Sequence, residues 1–389
     1  MGATIAIICE YNPFHNGHKY QIDKIREAFP DSTIVAVMSG NVTQRAELAM
    51  LDKHTRAQVA VSMGVNAVFE LPYPFSASSA ELFALAGVKI ADKIGAQYLS
   101  FGSESNDLKY LADIAEAIES DAFEKKIQEL ISNKSISYIS AKEAALEAMG
   151  KRLPSKSNDM LAVEYLRAIK KIGSGIIPLP IKREGADYND TSLAQMMSAS
   201  AIRKFFYEQN ELLSMPDKAT SIVKEQIENG NYLDKQRADD FLFRHTLMTN
   251  PKEFDTVFDT PDGCGYFISH LAQSSASSEE FFSGLSSKTY TSSRLRRLVM
   301  YLATGVREFP RDEIFTTLLA CDEKGRALIK SIRKENKISI LTKQADVKKM
   351  TDAEKELYSL SKNSDRLYYT LLKAPKSASD SYKSKPIIM

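Results

Sequence analysis

The sequence predicts an α/β protein, with a parallel sheet wound with helices in its first half and a mainly α-helical second half. Two observations carry this. Short apolar runs alternate with amphipathic stretches of helical length as far as residue 181, and strand alternation disappears beyond Leu212. A third supports it, since polar, Gly-containing segments gather just after the apolar runs, where such sheets bind ligands.

The elements follow in order. Residues 3–8 form an apolar first strand, which an Asn12-Pro13 turn leads into a helix over 18–29. A second strand over 33–38 ends in Ser39-Gly40-Asn41, and a helix over 52–63 follows. The third strand, 67–71, is stopped by Pro72, and a helix over 79–94 leads to a fourth strand at 98–101. Helices over 108–118, 123–133, 141–148 and 159–171 come next. The fifth strand, 176–181, carries Pro178 and Pro180, which cannot donate to a ladder, so it belongs at a sheet edge. A helix over 200–208 closes this half. The reading divides the chain into 1–210, a mainly helical and locally basic 211–373, and a Pro/Ser/Lys-containing tail over 374–389 that reads as poorly ordered.

Composition is that of a water-soluble globular chain: 389 residues, 43% hydrophobic, 26% charged, net charge +1. That length predicts two or three domains. No apolar run approaches the roughly 20 residues that span a bilayer, so no membrane partner is expected. Three scattered cysteines, Cys9, Cys264 and Cys321, give neither a disulfide framework nor a zinc pattern and suit a reducing cytoplasm. No metal ligand set is read from the residues. Five basic and no acidic residues lie between Lys288 and Arg307, which suits either a polyanion-facing surface or a solvated helix face.

The richest segment is Cys9-Glu10-Tyr11-Asn12-Pro13-Phe14-His15-Asn16-Gly17-His18. Two histidines three apart stand where the first helix begins. Main-chain N–H groups there lack intrahelical partners and the helix dipole is positive, so phosphate is favoured. Imidazole N–H groups add donors, and Gly17 allows a close approach to the backbone. The chemistry this suits is nucleotidyl transfer centred on the α-phosphate of ATP. Ser198-Ala199-Ser200-Ala201-Ile202-Arg203 opens a later helix; Ser198 or Ser200 can cap it, and with Arg203 its free N–H groups can hold a departing pyrophosphate. Asn41, Gln44 and Arg45 could face a small substrate, whereas His54 and Arg56 are expected to face solvent and His245 and His270 to be structural. Lys288 to Leu298 starts a basic helix in which Tyr290 can stack on an unpaired base and the arginines can grip a phosphate backbone.

The segment from Glu10 to His18, with Met38-Ser39-Gly40, Glu70-Leu71-Pro72-Tyr73 and Phe101-Gly102-Ser103-Glu104, resembles the bacterial tRNA(Met) cytidine acetate ligases, within the His-x-Gly-His nucleotidyltransferase superfamily. The resemblance runs through Arg203, then returns at 290–298 and around Lys324-Gly325. It implies a Rossmann-like, HUP-type nucleotidyltransferase domain. The implied reaction is ATP-dependent activation of acetate to acetyl-adenylate, then transfer of acetyl to N4 of the wobble cytidine of elongator tRNA(Met). It assigns ATP contacts to Ile7, Ile8, Cys9, Glu10, Tyr11, Asn12, Pro13, Phe14, His15, Asn16, Gly17, His18, Lys19, Tyr20, Gly102, Asn158, Arg183, Ser198, Ser200 and Arg203. His15, His18 and Arg203 would be catalytic. Acetate is placed at Ser39, Gly40 and Asn41, and tRNA at Tyr290, Arg294, Arg296 and Arg297. ATP is a substrate, with Mg2+ expected beside it. Two departures stand out: Asp159 follows Asn158 where a second Asn is expected, and Ala201 stands where related transferases often carry Thr. The alternatives are a small-molecule adenylyltransferase acting on phosphopantetheine or nicotinate mononucleotide, and a non-catalytic RNA-binding protein.

Overall fold

The computed structural model describes residues 2–132, 138–183, 197–287 and 289–389. The first half alternates strand and helix: β1 (Thr4–Cys9), α1 (Asn16–Ala28), β2 (Thr33–Ser39), α2 (Lys53–Ser62), β3 (Ala67–Leu71), α3 (Ala80–Lys93) and β4 (Tyr98–Ser103). Then come α4 (Leu108–Ile118), α5 (Asp121–Ser132), α6 (Tyr138–Ala148), α7 (Ser157–Ile172), β5 (Ile177–Lys182) and α8 (Ala199–Gln209). The helical stretch holds α9 (Asp217–Glu228), α10 (Lys235–Met248), α11 (Cys264–Ser274), α12 (Ser278–Gly284) and α13 (Ser292–Thr304). Last are β6 (Phe315–Cys321), α14 (Glu323–Glu335), β7 (Ser339–Leu341), α15 (Asp352–Thr370) and β8 (Ile387–Ile388).

The strands make one sheet in the order β5-β4-β1-β2-β3-β6-β7, with β8 paired to β6. Strands β1 to β5 are mutually parallel, as the βαβ pattern requires. Strand β5 lies at an edge, where its two prolines leave no ladder bond unmade. Alternate residues face opposite sides. Ala6, Ile8, Val35, Val37 and Phe69 join a core with α3, α4 and α7, while Ile5, Ile7, Ile34, Ala36 and Val68 join another with α1, α2, α8 and α9. The chain runs outward from β1 through β2 to β3, then returns to place β4 on the other side of β1. A crevice therefore opens beyond the carboxyl ends of β1 and β4.

The strand-free reading of everything beyond Leu212 is corrected by β6, which pairs antiparallel with β3 and extends the sheet. Its sequence Phe-Thr-Thr-Leu-Leu-Ala-Cys is buried on both faces, so it lacks the alternation of a half-exposed strand. The composition of the tail also misleads. Residues Ala378–Tyr382 form a 3-10 turn, Ser381 is buried, and β8 adds a short parallel pairing at Ala320 and Cys321.

Candidate active site

The turn after β1 delivers His15 as the N-cap of α1. Its Nδ1 accepts the Gly17 main-chain N–H at 3.1 Å, and the His15 main-chain N–H donates to His18 Nδ1 at 3.2 Å, closing a reciprocal capping box. Each Nδ1 is thus an acceptor, which places the proton of each neutral ring on Nε2. The rings stack with centroids 3.7 Å apart, and Tyr11 and Phe14 pack around His18. Burial, reinforced by the charge of Arg183, lowers the His15 pKa to about 4; burial, His15 and Arg183 hold His18 well below its ordinary value. Two neutral imidazoles therefore stand at a positive helix end, each with one outward N–H. A Cβ at Gly17 would meet the His15 ring at 3.0 Å, which is why glycine sits between them.

Beyond them lies a cleft of about 410 Å³ bordered by residues 7–12 of β1 and its turn, His18, Gly102, Asn158 and Arg183. His15, Gly17 and Tyr20 line a smaller adjoining hollow that shares His18, Gly102 and Arg183. Asn12 borders the cleft but is itself buried; its Oδ1 accepts the Met50 N–H at 2.8 Å, while its Nδ2 has no partner among the described residues. Asn158 donates to Glu104 Oε1 at 2.6 Å, and Arg183 lies 3.9 Å from that same oxygen, so β4, α7 and β5 are tied at one corner. The departure Asp159 turns away from the cleft: its carboxylate accepts Ser103 Oγ and the Glu104 and Ser105 N–H groups.

Other expected ATP residues stand around the cleft rather than on its surface. Pro13 and Phe14 are buried in the turn, the Asn16 N–H donates to the Ser214 carbonyl, and Lys19 pairs with Asp23. Ser198 caps α8, whose first residue, Ala199, lines the cleft. Ser200 and Arg203 line the far side of the wall instead; Arg203 donates to the Asn12 carbonyl at 2.7 Å and pairs with Glu47 at 3.2 Å. The sequence reading missed Gln21, Phe83, Met160, Leu161 and Tyr165 as cleft residues. Helical spacing from Asn158 through Leu161 to Tyr165 on α7 was the available signal.

Ser39, Gly40 and Asn41, the expected acetate residues, do not reach this cleft. They are buried at the end of β2, where the Ser39 and Gly40 carbonyls and the Asn41 side chain are bonded internally. Asn41 accepts the Lys53 N–H at 2.8 Å and donates to Asp365 at 2.9 Å. Arg56 is 1% exposed rather than in solvent; its guanidinium donates to the Glu10, Ser39, Gly40 and Leu51 carbonyls. Beside this lies a buried ionic cluster in which Lys53 bonds Glu70 at 2.6 Å and Asp365 at 2.8 Å, with Lys362 at 3.2 Å from Asp365. Burial raises the Asp365 pKa, but Lys53 and Lys362 outweigh it and hold the carboxyl below its ordinary value. His54, also expected in solvent, lines a pocket beside the cluster, and burial lowers its pKa.

The expected tRNA residues divide. The helix start expected at Lys288 lies outside the described residues; α13 begins at Ser292 with Thr291 as its cap. Arg294 pairs with Asp259 at 3.0 Å and lies over the Tyr290 ring, and Arg296 lies over Phe282 with its guanidinium 4.5 Å from the ring centre. Arg297 is buried, with Nε donating to the Ala77 carbonyl at 2.6 Å, so its role is to fasten α13 to the loop before α3 rather than to meet RNA. Lys324 likewise donates to the Asp31 and Ser32 carbonyls, and a Cβ at Gly325 would lie 2.0 Å from the Asn66 carbonyl oxygen. That pair docks α14 onto the sheet.

A family model described as "HIGH Nucleotidyl Transferase" matches residues 2–384. A tRNA(Met) cytidine acetate ligase of Thermoanaerobacter sp. (strain X514) is 34% identical over 363 residues, covering 88% of this chain and 89% of that protein. A relative of the same name from Fusobacterium nucleatum is 32% identical over 382 residues, covering 94% and 95%. Among solved structures, Thermotoga maritima TmcAL bound with alpha-thio ATP superposes with a TM-score of 0.90 at 29% identity, covering 100% of this chain and 99% of that one. The capping histidines at the switch point of the sheet, the model match and the full-length relatives together place the chain in the HIGH nucleotidyltransferase family, among the tRNA(Met) cytidine acetate ligases.

Proposed function

We propose that this chain activates acetate with ATP and transfers the acetyl group to N4 of the wobble cytidine of elongator tRNA(Met). The observation that carries the reading is the pair of neutral imidazoles at the start of α1, whose Nε2–H groups stand at the end of β1 beside the cleft. In the first step an acetate oxygen attacks the α-phosphorus, the bond to the bridging oxygen breaks, and pyrophosphate leaves. No protein nucleophile is required; the residues position the reactants and neutralise developing charge. His15 and His18 supply donors to phosphate oxygens. The N-terminus of α8, with Arg203 behind it, stands at the same wall to stabilise the departing pyrophosphate. Phe83, Leu161 and Tyr165 offer the apolar surface an adenine ring needs.

Among the described residues no three His, Cys, Asp or Glu side chains converge as a metal cage. A magnesium ion in this reading is carried by the nucleotide's own phosphates and lends them charge neutralisation. Residues 1–210 hold the activation chemistry, and 211–373 contribute the RNA face through Tyr290, Arg294 and Arg296. Among the described residues no helix is long and apolar enough to cross a membrane, and the reading places the chain with tRNA in the cytoplasm. The test is mass spectrometry of nucleosides from tRNA(Met) incubated with the chain. N4-acetylcytidine that requires both ATP and acetate supports the reading. Unmodified cytidine in the complete mixture overturns it.

A further inference from the structure

The turn over residues 44–47 and the first turn of α8 form a wall with two sides. Gln44, Arg45 and Ala199 line the nucleotide cleft, whereas Ala46, Glu47, Ser200 and Arg203 line a second hollow of about 310 Å³ bordered by α8, α10, α12 and α13. Arg203 bridges the two spaces: its guanidinium donates to the carbonyl of Asn12, which lines the cleft, and pairs with Glu47, which lines the hollow. Glu47 is held in place by its own main chain, whose carbonyl accepts the Thr43 N–H at 2.9 Å. Tyr207 and Phe282 give the hollow aromatic surfaces, Arg296 lies over Phe282, and the exposed Lys204 and Lys235 stand at its rim, 3.9 Å from Glu208 and 2.5 Å from Asp239 respectively.

Aromatic planes suit a base turned out of its stack, the Arg296 guanidinium over Phe282 suits an attached phosphate, and the Glu47 carboxylate on the lining suits an exocyclic amine. We infer that this hollow receives the acceptor cytidine, with Glu47 facing its N4 amine at the boundary with the nucleotide cleft. The inference rests on the ligase reading above. In the transfer step the N4 lone pair attacks the acetyl carbonyl carbon of acetyl-adenylate. The C–O bond to phosphate breaks, AMP leaves with the electron pair, and one N4 proton passes to the Glu47 carboxylate. The Arg203 ion pair keeps that carboxylate oriented.

Two experiments on the full chain test this. In the first, tRNA(Met) carrying 5-iodocytidine at the wobble position is irradiated with the chain, and cross-linked peptides are mapped by mass spectrometry. A cross-link at Tyr207 or Phe282 is expected; one outside the hollow, or none from a preparation that acetylates ordinary tRNA(Met), overturns the assignment. In the second, Glu47→Gln is mixed with preformed acetyl-adenylate and tRNA in a single turnover. Transfer slows by about a hundredfold while the KM for tRNA changes little, the effect of removing a proton acceptor. An unchanged transfer rate removes Glu47 from the step. A wild-type chain that neither exchanges pyrophosphate nor acetylates tRNA would overturn the ligase reading itself, a different outcome from a misplaced cross-link.

Discussion

His15 and His18 stack ring on ring with centroids 3.7 Å apart, and each uses its Nδ1 to accept a main-chain N–H of the helix start. The cap fixes the tautomers, so that both Nε2–H groups are donors without either ring being charged. Replacing His18 with Ala should lower acetate-dependent adenylate formation by about a hundred- to a thousandfold, the range for losing one preorganised donor. His18→Gln, which restores a terminal N–H, should recover part of the loss. Affinity for tRNA, measured by filter binding, should be unchanged in both.

Stability should depend on pH in the direction set by His15. Its pKa is lowered from 6.5 to about 4 in the folded chain. Between those values the unfolded state binds a proton that the folded state does not, so stability falls as pH drops from about 6.5 towards 4. Urea midpoints at pH 7, 6 and 5 should decline in that order. In His15→Gln the part of the decline due to this ring should vanish.

Arg296 and Arg297 are adjacent in sequence but do different things. Arg297→Ala leaves the Ala77 carbonyl without its buried donor and should cost about 2–4 kcal/mol of stability by urea denaturation. Arg294→Glu with Arg296→Glu should leave stability nearly intact, weaken tRNA binding and reduce the slope of log K against log salt by about 2. Unchanged tRNA affinity in that pair would remove α13 from the RNA face.

Asp365 holds Lys53 in a buried network that joins α15 to α2 and β3. Asp365→Asn strips a charge from a desolvated group and should destabilise the fold by about 3–5 kcal/mol. The wild-type carboxyl titrates below its ordinary 3.8, so its stabilisation is present above that pH and is lost as pH falls through the folded value. Acid denaturation followed by circular dichroism should therefore show a transition below pH 4 that Asp365→Asn lacks.

The parallel sheet was legible because its strands alternate with helices, and β5 because two prolines could sit only at an edge. The histidine cap was legible because its spacing and its place after a strand are local. What escaped the sequence was long-range. Strand β6 pairs with β3 across some 250 intervening residues and carries no alternation to signal it. Arg56 read as a solvated charge and Arg297 as an RNA contact because nothing nearby in sequence reveals the main-chain carbonyls that receive them. Ser39, Gly40 and Asn41 were placed correctly at a strand end, but Arg56 takes the Ser39 and Gly40 carbonyls, and Lys53 and Asp365 take the Asn41 amide.

The central claim is that the site beside His15 and His18 makes an acyl-adenylate without help from the acceptor RNA. ATP–pyrophosphate exchange measured on the full chain without tRNA, with and without acetate, tests it most directly. Exchange of labelled pyrophosphate into ATP that appears only when acetate is added, and disappears in His18→Ala, is the predicted result. Acetate-independent exchange, or none at saturating ATP and acetate, would contradict it.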